Sequence, residues 1–327
     1  MIEVSQLQKT YVRKIGTGRK LIGRYRRSAT VALTDVNFSV DAGEIVAYLG
    51  RNGAGKSTTI KCLTGILHPE SGLVNVAGFT PWHRQREFFK EIGVVFGQRT
   101  QLVWDLPTRD SFDLLAAQYA VSSADYRRRL HDFDGVFDLS SILTSSVRTL
   151  SLGQRMLADL CAVLLHAPKV LFLDEPTLGL DVVTKHTFRL LLRELGRSGV
   201  TILLTTHDLA EIERIADRVI LLEDGQVGFD GSMSAFRSQF SSGMHVVVTF
   251  SDPVVVPDAL GSSIENDGLT YTFRVQSTGE VPALVRSLQS LQSPITELNV
   301  MPESIDDIVR HVLSQTDSTQ TEASSDE

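Results

Sequence analysis

Between residues 2 and 49 apolar and polar positions alternate, and VALTDVNFSV and EIVAYL flank a turn at Asp41-Ala42-Gly43, the pattern of an antiparallel edge layer. A Gly-rich turn then leads into a helix, GRNGAGKSTTIKCLTGIL, which His68-Pro69 and the turn at Ser71-Gly72 bring to an end. IGVVFG, near residue 92, reads as a buried strand. From about Pro107 to Ala167 the period lengthens to that of helices with short polar breaks. VLFLDE, the amphipathic stretch from Val183 to Leu195, and TILLTTH restore the alternation of strand and helix, which predicts a parallel sheet covered on both faces. RVILLEDGQVGFDG closes as a hairpin turning at Asp224-Gly225.

After about Phe240 the character changes. Strands at HVVVTF and TYTFRV precede a helix with Leu284, Leu288 and Leu291 on one face; the strand ITELNV follows, then a helix beginning at Pro302 that carries Ile305, Ile308, Val309 and Val312. The expected organisation is a large α/β domain over residues 1–238 with a helical insert at about 99–167, a small α+β domain over 239–316, and a disordered acidic tail over 317–327.

Composition narrows the class. With 42% apolar and 22% charged residues, the chain is of ordinary soluble globular type. A net charge of -7 gives nucleic acid no general electrostatic hold, and nucleic acid is not an expected partner. The sign is uneven, however: from Lys9 to Thr34 there is no acidic residue, while Lys9, Arg13, Lys14, Arg19, Lys20, Arg24, Arg26 and Arg27 are basic. This stretch reads equally as a solvated basic loop or as a patch, residues 9–27, for anionic lipid or a protein partner. Cys62 and Cys161 fall separately in apolar helical patterns and read as reduced core thiols. No signal-peptide architecture and no run near the roughly 20 apolar residues of a membrane span is present, so a cytoplasmic location is expected, with any spanning left to another polypeptide.

Chemistry concentrates in two places. Gly50-Arg51-Asn52-Gly53-Ala54-Gly55-Lys56-Ser57, continued by Thr58, fits the phosphate-binding loop, follows an apolar strand and opens a helix. Glycines let the backbone wrap a phosphate, N–H groups at the helix N-terminus point at the anion, Lys56 reaches the β- and γ-phosphates, and Ser57 offers a hydroxyl to Mg²⁺. Such a pattern arises by chance roughly once per hundred chains of this length. Val170 to Asp174-Glu175 is an apolar strand ending in two carboxylates. Alone it is an ordinary strand end; beside the loop it places Asp174 to hold Mg²⁺ and Glu175 to polarise the attacking water. Arg127-Arg128-Arg129 reads as a solvated helix face.

Leu150-Ser151-Leu152-Gly153-Gln154 precedes a helix starting near Arg155. With this segment the chain resembles the nucleotide-binding subunit of an ABC transporter over about residues 1–235. Ser151-x-Gly153-Gln154 is similar to the family signature, Gln98 to the glutamine loop, Asp181 in LGLD to the D-loop and His207 in TTHD to the switch histidine. Tyr11 resembles the aromatic that stacks on adenine, with Tyr25 as the alternative. The resemblance implies a P-loop NTPase: a RecA-like core, an antiparallel β subdomain and a helical ABC subdomain, joined here by the C-terminal α+β domain. It also implies ATP and Mg²⁺ held by Ser57, Gln98 and Asp174, with catalysis by Glu175, His207 and Gln98. Ser151, Gly153, Gln154 and Asp181 would meet the nucleotide of a second copy in a head-to-tail dimer, and the motor would sit on the inner face of the plasma membrane beneath permease subunits on separate chains. Gly97 to Pro107 and Leu-Ser-Leu-Gly-Gln-Arg-Met are similar to an exporter-like ABC-2 subgroup of bacterial ATPases. Leu152 departs from the family, whose signature has Gly there. The rival reading, a soluble ABC ATPase acting on nucleic acid or the ribosome, lacks the second ATPase domain or the long coiled coil that it calls for.

Overall fold

In a computed structural model of the protein, the described residues are 1–16, 25–97, 99–177, 179–206, 209–241, 243–257, 263–291, 293–305 and 307–309. They fall into two compact units, one running from Met1 to Met233 and one from Ser234 onward.

The first unit begins with two long antiparallel strands, β1 (Ile2–Gly16) and β2 (Tyr25–Val40), paired from Ile2 opposite Val40 to Gly16 opposite Tyr25 with shifts of register between Val4 and Thr10. Residues 9–16 and 25–34 of the basic stretch thus lie in these two strands, and residues 17–24 lie outside the described residues. Next come β3 (Ile45–Gly50), α1 (Lys56–Leu63), β4 (Ser71–Val76), α2 (Arg86–Glu91) and β5 (Ile92–Phe96). Three helices follow: α3 (Thr108–Gln118), α4 (Ser123–Phe137) and α5 (Leu152–Leu164). The unit is completed by β6 (Val170–Asp174), α6 (Val182–Arg197), β7 (Thr201–Thr205), α7 (Leu209–Ile215), β8 (Arg218–Glu223) and β9 (Gln226–Ser232).

Two sheets form. One is antiparallel with order β2-β1-β4; the other has order β5-β6-β7-β3-β8-β9, parallel except for β9. The turn at Asp41–Gly43 thus passes from one sheet to the other, which corrects the edge-hairpin reading of β2 and β3. The reason is visible in β3 itself: Ile45 to Leu49 are all buried, as a central strand requires, and its neighbours β7 and β8 come from far along the chain. One apolar core joins the sheets through α1, with Ile60, Cys62 and Leu63 packed among Leu7, Val36, Tyr48, Phe172 and Leu222. Each such fully buried side chain contributes about 1.5–3 kcal/mol. Cys62 and Cys161 are buried free thiols, and burial pushes the Cys62 thiol up to about 11. The β8–β9 hairpin turns on Asp224 and Gly225, both at positive φ (45° and 81°) as the tight turn demands.

The second unit contains most of α8 (Met233–Phe240), then β10 (Met244–Phe250), β11 (Ser263–Asn266), β12 (Thr270–Val275), α9 (Val281–Gln289) and β13 (Ile295–Pro302). Its sheet has order β11-β12-β10-β13, and Val246, Val248, Phe250, Phe273 and Leu288 form its core. Pro302 ends β13, paired with Met244, instead of opening the last helix. That helix follows a cap in which Ser304 Oγ accepts the Asp307 N–H at 3.1 Å, and it buries Ile305, Ile308 and Val309. Among the described residues no helix is long and apolar enough to cross a membrane.

Candidate functional site

The loop after β3 is shaped by what its glycines exclude. At Gly55, the N-cap of α1, φ is 109°, and a Cβ there would stand 2.5 Å from the Ala32 carbonyl and 2.7 Å from Leu33 Cδ2. No side chain caps α1, so its first N–H groups stay directed at the loop's concavity, where an anion is favoured. Lys56 is buried, with Nζ donating to the carbonyls of Gly50 (2.5 Å) and Arg51 (3.0 Å). Burial lowers its pKa, and the Glu175 and Asp174 carboxylates act the other way. The cleft has a volume of about 500 Å³ and is lined by Arg51, Asn52, Gly53, Gly55, Lys56, Ser57 and Thr58 with Asp174 and Glu175 opposite. Gly50 is the last residue of β3, and Ala54 is buried beneath the loop. Tyr11 on β1 reaches α1, its hydroxyl 3.3 Å from Thr58 Oγ1; the Tyr25 side chain lies outside the described residues.

Across the cleft, Asp174 ends β6 with both oxygens engaged. Ser57 Oγ donates to Oδ2 at 3.2 Å and Thr205 Oγ1 donates to Oδ1 at 2.6 Å. Glu175 has φ of 57°, unusual for a non-glycine residue, and its N–H is shared between Thr205 O (3.1 Å) and Thr205 Oγ1 (3.2 Å). Gly97 N–H donates to the Asp174 carbonyl at 2.7 Å, which brings the end of β5 against the carboxylates. Gln98 and His207 lie outside the described residues.

The third group sits at the N-terminus of α5. Ser151 Oγ accepts the Gln154 N–H (3.2 Å) while Gln154 Oε1 accepts the Ser151 N–H (3.0 Å), a reciprocal capping box. Leu152 is 39% exposed and covers Gly179, where φ is 77° and a Cβ would stand 2.8 Å from Leu152 Cγ. A Cβ on Gly153 would lie 3.4 Å from Leu180 Cδ2. Asp181 caps α6, accepting from the Val183 and Thr184 N–H groups (3.0 and 2.9 Å) and from the Thr184 hydroxyl (2.6 Å); these bonds hold its pKa down.

The sequence pattern of the ABC transporter family matches residues 33–178. The Nod factor export ATP-binding protein I of Burkholderia orbicola (strain AU 1054) is 33% identical over 233 residues, covering 71% of this chain and 76% of that protein. The chain belongs to the ABC transporter ATP-binding family. The ABC transporter ATP-binding protein NatA of Bacillus subtilis (strain 168) is 29% identical over 223 residues, 68% of this chain and 91% of that one. A solved dimeric structure of the ATP-binding cassette MJ0796 in a post-hydrolysis state, bound to ADP and Pi, superposes with a TM-score of 0.61 at 27% identity over 71% of this chain and 99% of that one. The protein is thus an ATP-binding, ATP-hydrolysing subunit with the P-loop NTPase fold of ABC cassettes.

Among the residues of this ABC subunit that escaped sequence reasoning are Arg129 and Asp159. Arg129 is no solvated arginine: its guanidinium donates to the Leu165 carbonyl. Asp159 is buried on α5, where its Oδ1 accepts from Thr100 Oγ1 (2.9 Å) and the Gln101 N–H (3.1 Å), tying the segment after residue 98 to the signature helix. Burial pushes its carboxyl up from 3.8 to about 6 despite those bonds. The folded state therefore holds this proton more tightly than the unfolded chain, and its ionisation costs stability. The cost is absent below about pH 4, grows through pH 6, and reaches about 3 kcal/mol at most above it. Asp159→Asn keeps the acceptor without the charge. Urea unfolding should show the variant more stable than the parent at pH 8, with the difference shrinking as pH falls towards 4.5; a difference independent of pH would remove the buried charge as its cause.

Proposed function

We propose that this chain binds magnesium ATP in the cleft beyond β3 and hydrolyses it to power export through permease subunits on separate chains, on the inner face of the plasma membrane. The observation that carries the reading is one juxtaposition: Lys56, Ser57, Asp174 and Glu175 line a single cleft, with the Ser57 hydroxyl 3.2 Å from the Asp174 carboxylate. Among the described residues no cluster of three His, Cys, Asp or Glu gathers, but Mg²⁺ does not ask for one. It is a hard cation that keeps waters and takes phosphate oxygens, so a hydroxyl and a carboxylate as neighbours suit it, with Gln98 as the further donor. Held there by Ser57, Asp174 and Gln98, it would supply charge neutralisation of the phosphates.

The chain's own residues do the rest. Lys56 turns its ammonium from the Gly50 and Arg51 carbonyls to the phosphates, and the loop N–H groups from Arg51 to Thr58 hold the anion. Tyr11 faces the base, Glu175 accepts the proton of the attacking water, and His207 and Gln98 contact the γ-phosphate side. In a head-to-tail dimer with a second copy, Ser151, Gly153, Gln154 and Asp181 meet the partner's nucleotide. Ser151 Oγ accepts from its own helix and so keeps its proton for a phosphate oxygen. Closure follows because the anion binds the closed state better than the open one. The relatives named for Nod factor export support the outward direction.

The test is co-purification of the tagged chain from membranes with its permease, followed by ATPase assay of the complex. Recovery of a polytopic partner and magnesium-dependent hydrolysis are expected; an active ATPase that never associates with membranes would overturn the transport reading. The basic stretch at residues 9–27, within a span free of acidic residues from Lys9 to Thr34, is the segment proposed to meet anionic lipid. At about 1 kcal/mol per basic residue, replacing Arg24, Arg26 and Arg27 by Ala should weaken binding to phosphatidylglycerol vesicles about 100-fold in flotation assays. Unchanged flotation would rule this segment out.

A further inference from the structure

One buried hydroxyl touches both carboxylate residues of the cleft. Thr205, the last residue of β7, lies opposite Asp174 in the parallel pairing of β6 and β7 and has no exposed surface. Its Oγ1 donates to Asp174 Oδ1 at 2.6 Å and accepts the Glu175 N–H at 3.2 Å. With Oδ1 held, the other oxygen of Asp174 is turned to Ser57. The same bond to its N–H helps to keep Glu175 at its positive φ, in a conformation that few non-glycine residues adopt unaided. A valine has the same branched shape and would suit the strand as well or better, yet it could supply neither bond.

We infer that Thr205 is a positioning residue for hydrolysis, its hydroxyl setting the orientation of Asp174 towards the metal and the backbone of Glu175 towards the attacking water. The inference rests on the roles given to Asp174 and Glu175 above. It differs from a merely structural role in one respect: the strand needs only the shape of Thr205, whereas the site needs its oxygen. Loss of the oxygen therefore acts on the metal-dependent and chemical steps and spares the loop that grips the phosphates.

The experiment compares Thr205→Val and Thr205→Ser with the parent and with Glu175→Gln in the full chain. Three quantities are measured: kcat and KM for ATP, equilibrium ATP affinity with magnesium and with EDTA, and the thermal midpoint. For Thr205→Val, kcat should fall about 10- to 100-fold, the worth of one hydrogen bond to a charged group, with KM changed less than about threefold. The gain in ATP affinity on adding magnesium should shrink about tenfold, while affinity in EDTA and the thermal midpoint stay at parental values. Thr205→Ser, which restores the oxygen, should recover kcat to within about threefold. Parental kcat and magnesium dependence in Thr205→Val overturn the inference, as does an equal loss in the Val and Ser variants or a loss confined to affinity in EDTA. If Glu175→Gln hydrolyses ATP at the parental rate, the reading of the site fails and this inference with it. If Glu175→Gln is inactive and Thr205→Val is normal, only the inference fails.

Discussion

Replacing Glu175 by Gln is expected to lower ATP turnover at least about 100-fold while nucleotide binding persists, because a positioned general base accounts for roughly 10²- to 10⁴-fold of rate. Gln keeps the length and polarity of the side chain but cannot take a proton. The Glu175 N–H is held by the Thr205 carbonyl and hydroxyl, bonds that the substitution does not touch, so the cleft is expected to stay in place. ATP then stays between the protomers, and the variant should accumulate as a nucleotide-bound dimer in size-exclusion chromatography with magnesium ATP. Turnover equal to the parent would remove Glu175 from its role. Loss of ATP binding would show instead that the carboxylate shapes the cleft.

Lys56→Met should act in two directions at once. ATP affinity should drop at least about 100-fold, since the ammonium makes charge-assisted bonds to phosphate oxygens that each contribute about 1.5–3 kcal/mol. Stability without nucleotide should hold or rise. The pKa of Lys56 is lowered in the folded state, chiefly by burial, so its charged form costs the fold free energy at neutral pH. That cost is relieved only as pH climbs through the folded-state pKa towards the unfolded value. Met fills similar space without the charge. Isothermal titration and thermal melting of the apo-protein test the pair of effects; weaker binding accompanied by a lower melting point would indicate a collapsed loop.

The phosphate loop and the Asp174-Glu175 strand end were legible in the sequence because each is a short contiguous pattern in the right local context, a strand giving way to a turn and helix. The hairpin at Asp224-Gly225 was legible for the same reason: its turn chemistry is local. What the sequence hid is long-range. The turn at Asp41–Gly43 has hairpin composition, yet β2 and β3 belong to different sheets, a fact carried only by partners that lie far along the chain. Thr205 is a threonine at the end of an apolar strand, with no local mark to separate it from any β-branched strand residue; only its register with Asp174 gives it a role. Asp159 did leave a signal, one carboxylate among the buried residues of α5, but its partners Thr100 and Gln101 are distant in sequence. Leu152 was visible as a departure from the family signature, and the structure supplies its contact, the bare face of Gly179.

The position of β3 between β7 and β8 also sets a timetable for biosynthesis. Ile45 pairs with Ile202 and Val46 with Arg218, so the strand that feeds the phosphate loop leaves the ribosome long before either neighbour exists. At about 5–20 residues per second the wait is roughly 10–30 s. The antiparallel sheet of β1, β2 and β4 needs nothing beyond Val76 and can assemble early, lending Leu7, Val36 and Val76 as a temporary shelter for one face of β3. Its two hydrogen-bonding edges stay open throughout that interval, which makes the nascent segment Ile45–Gly50 the point where a holdase chaperone would have most to protect.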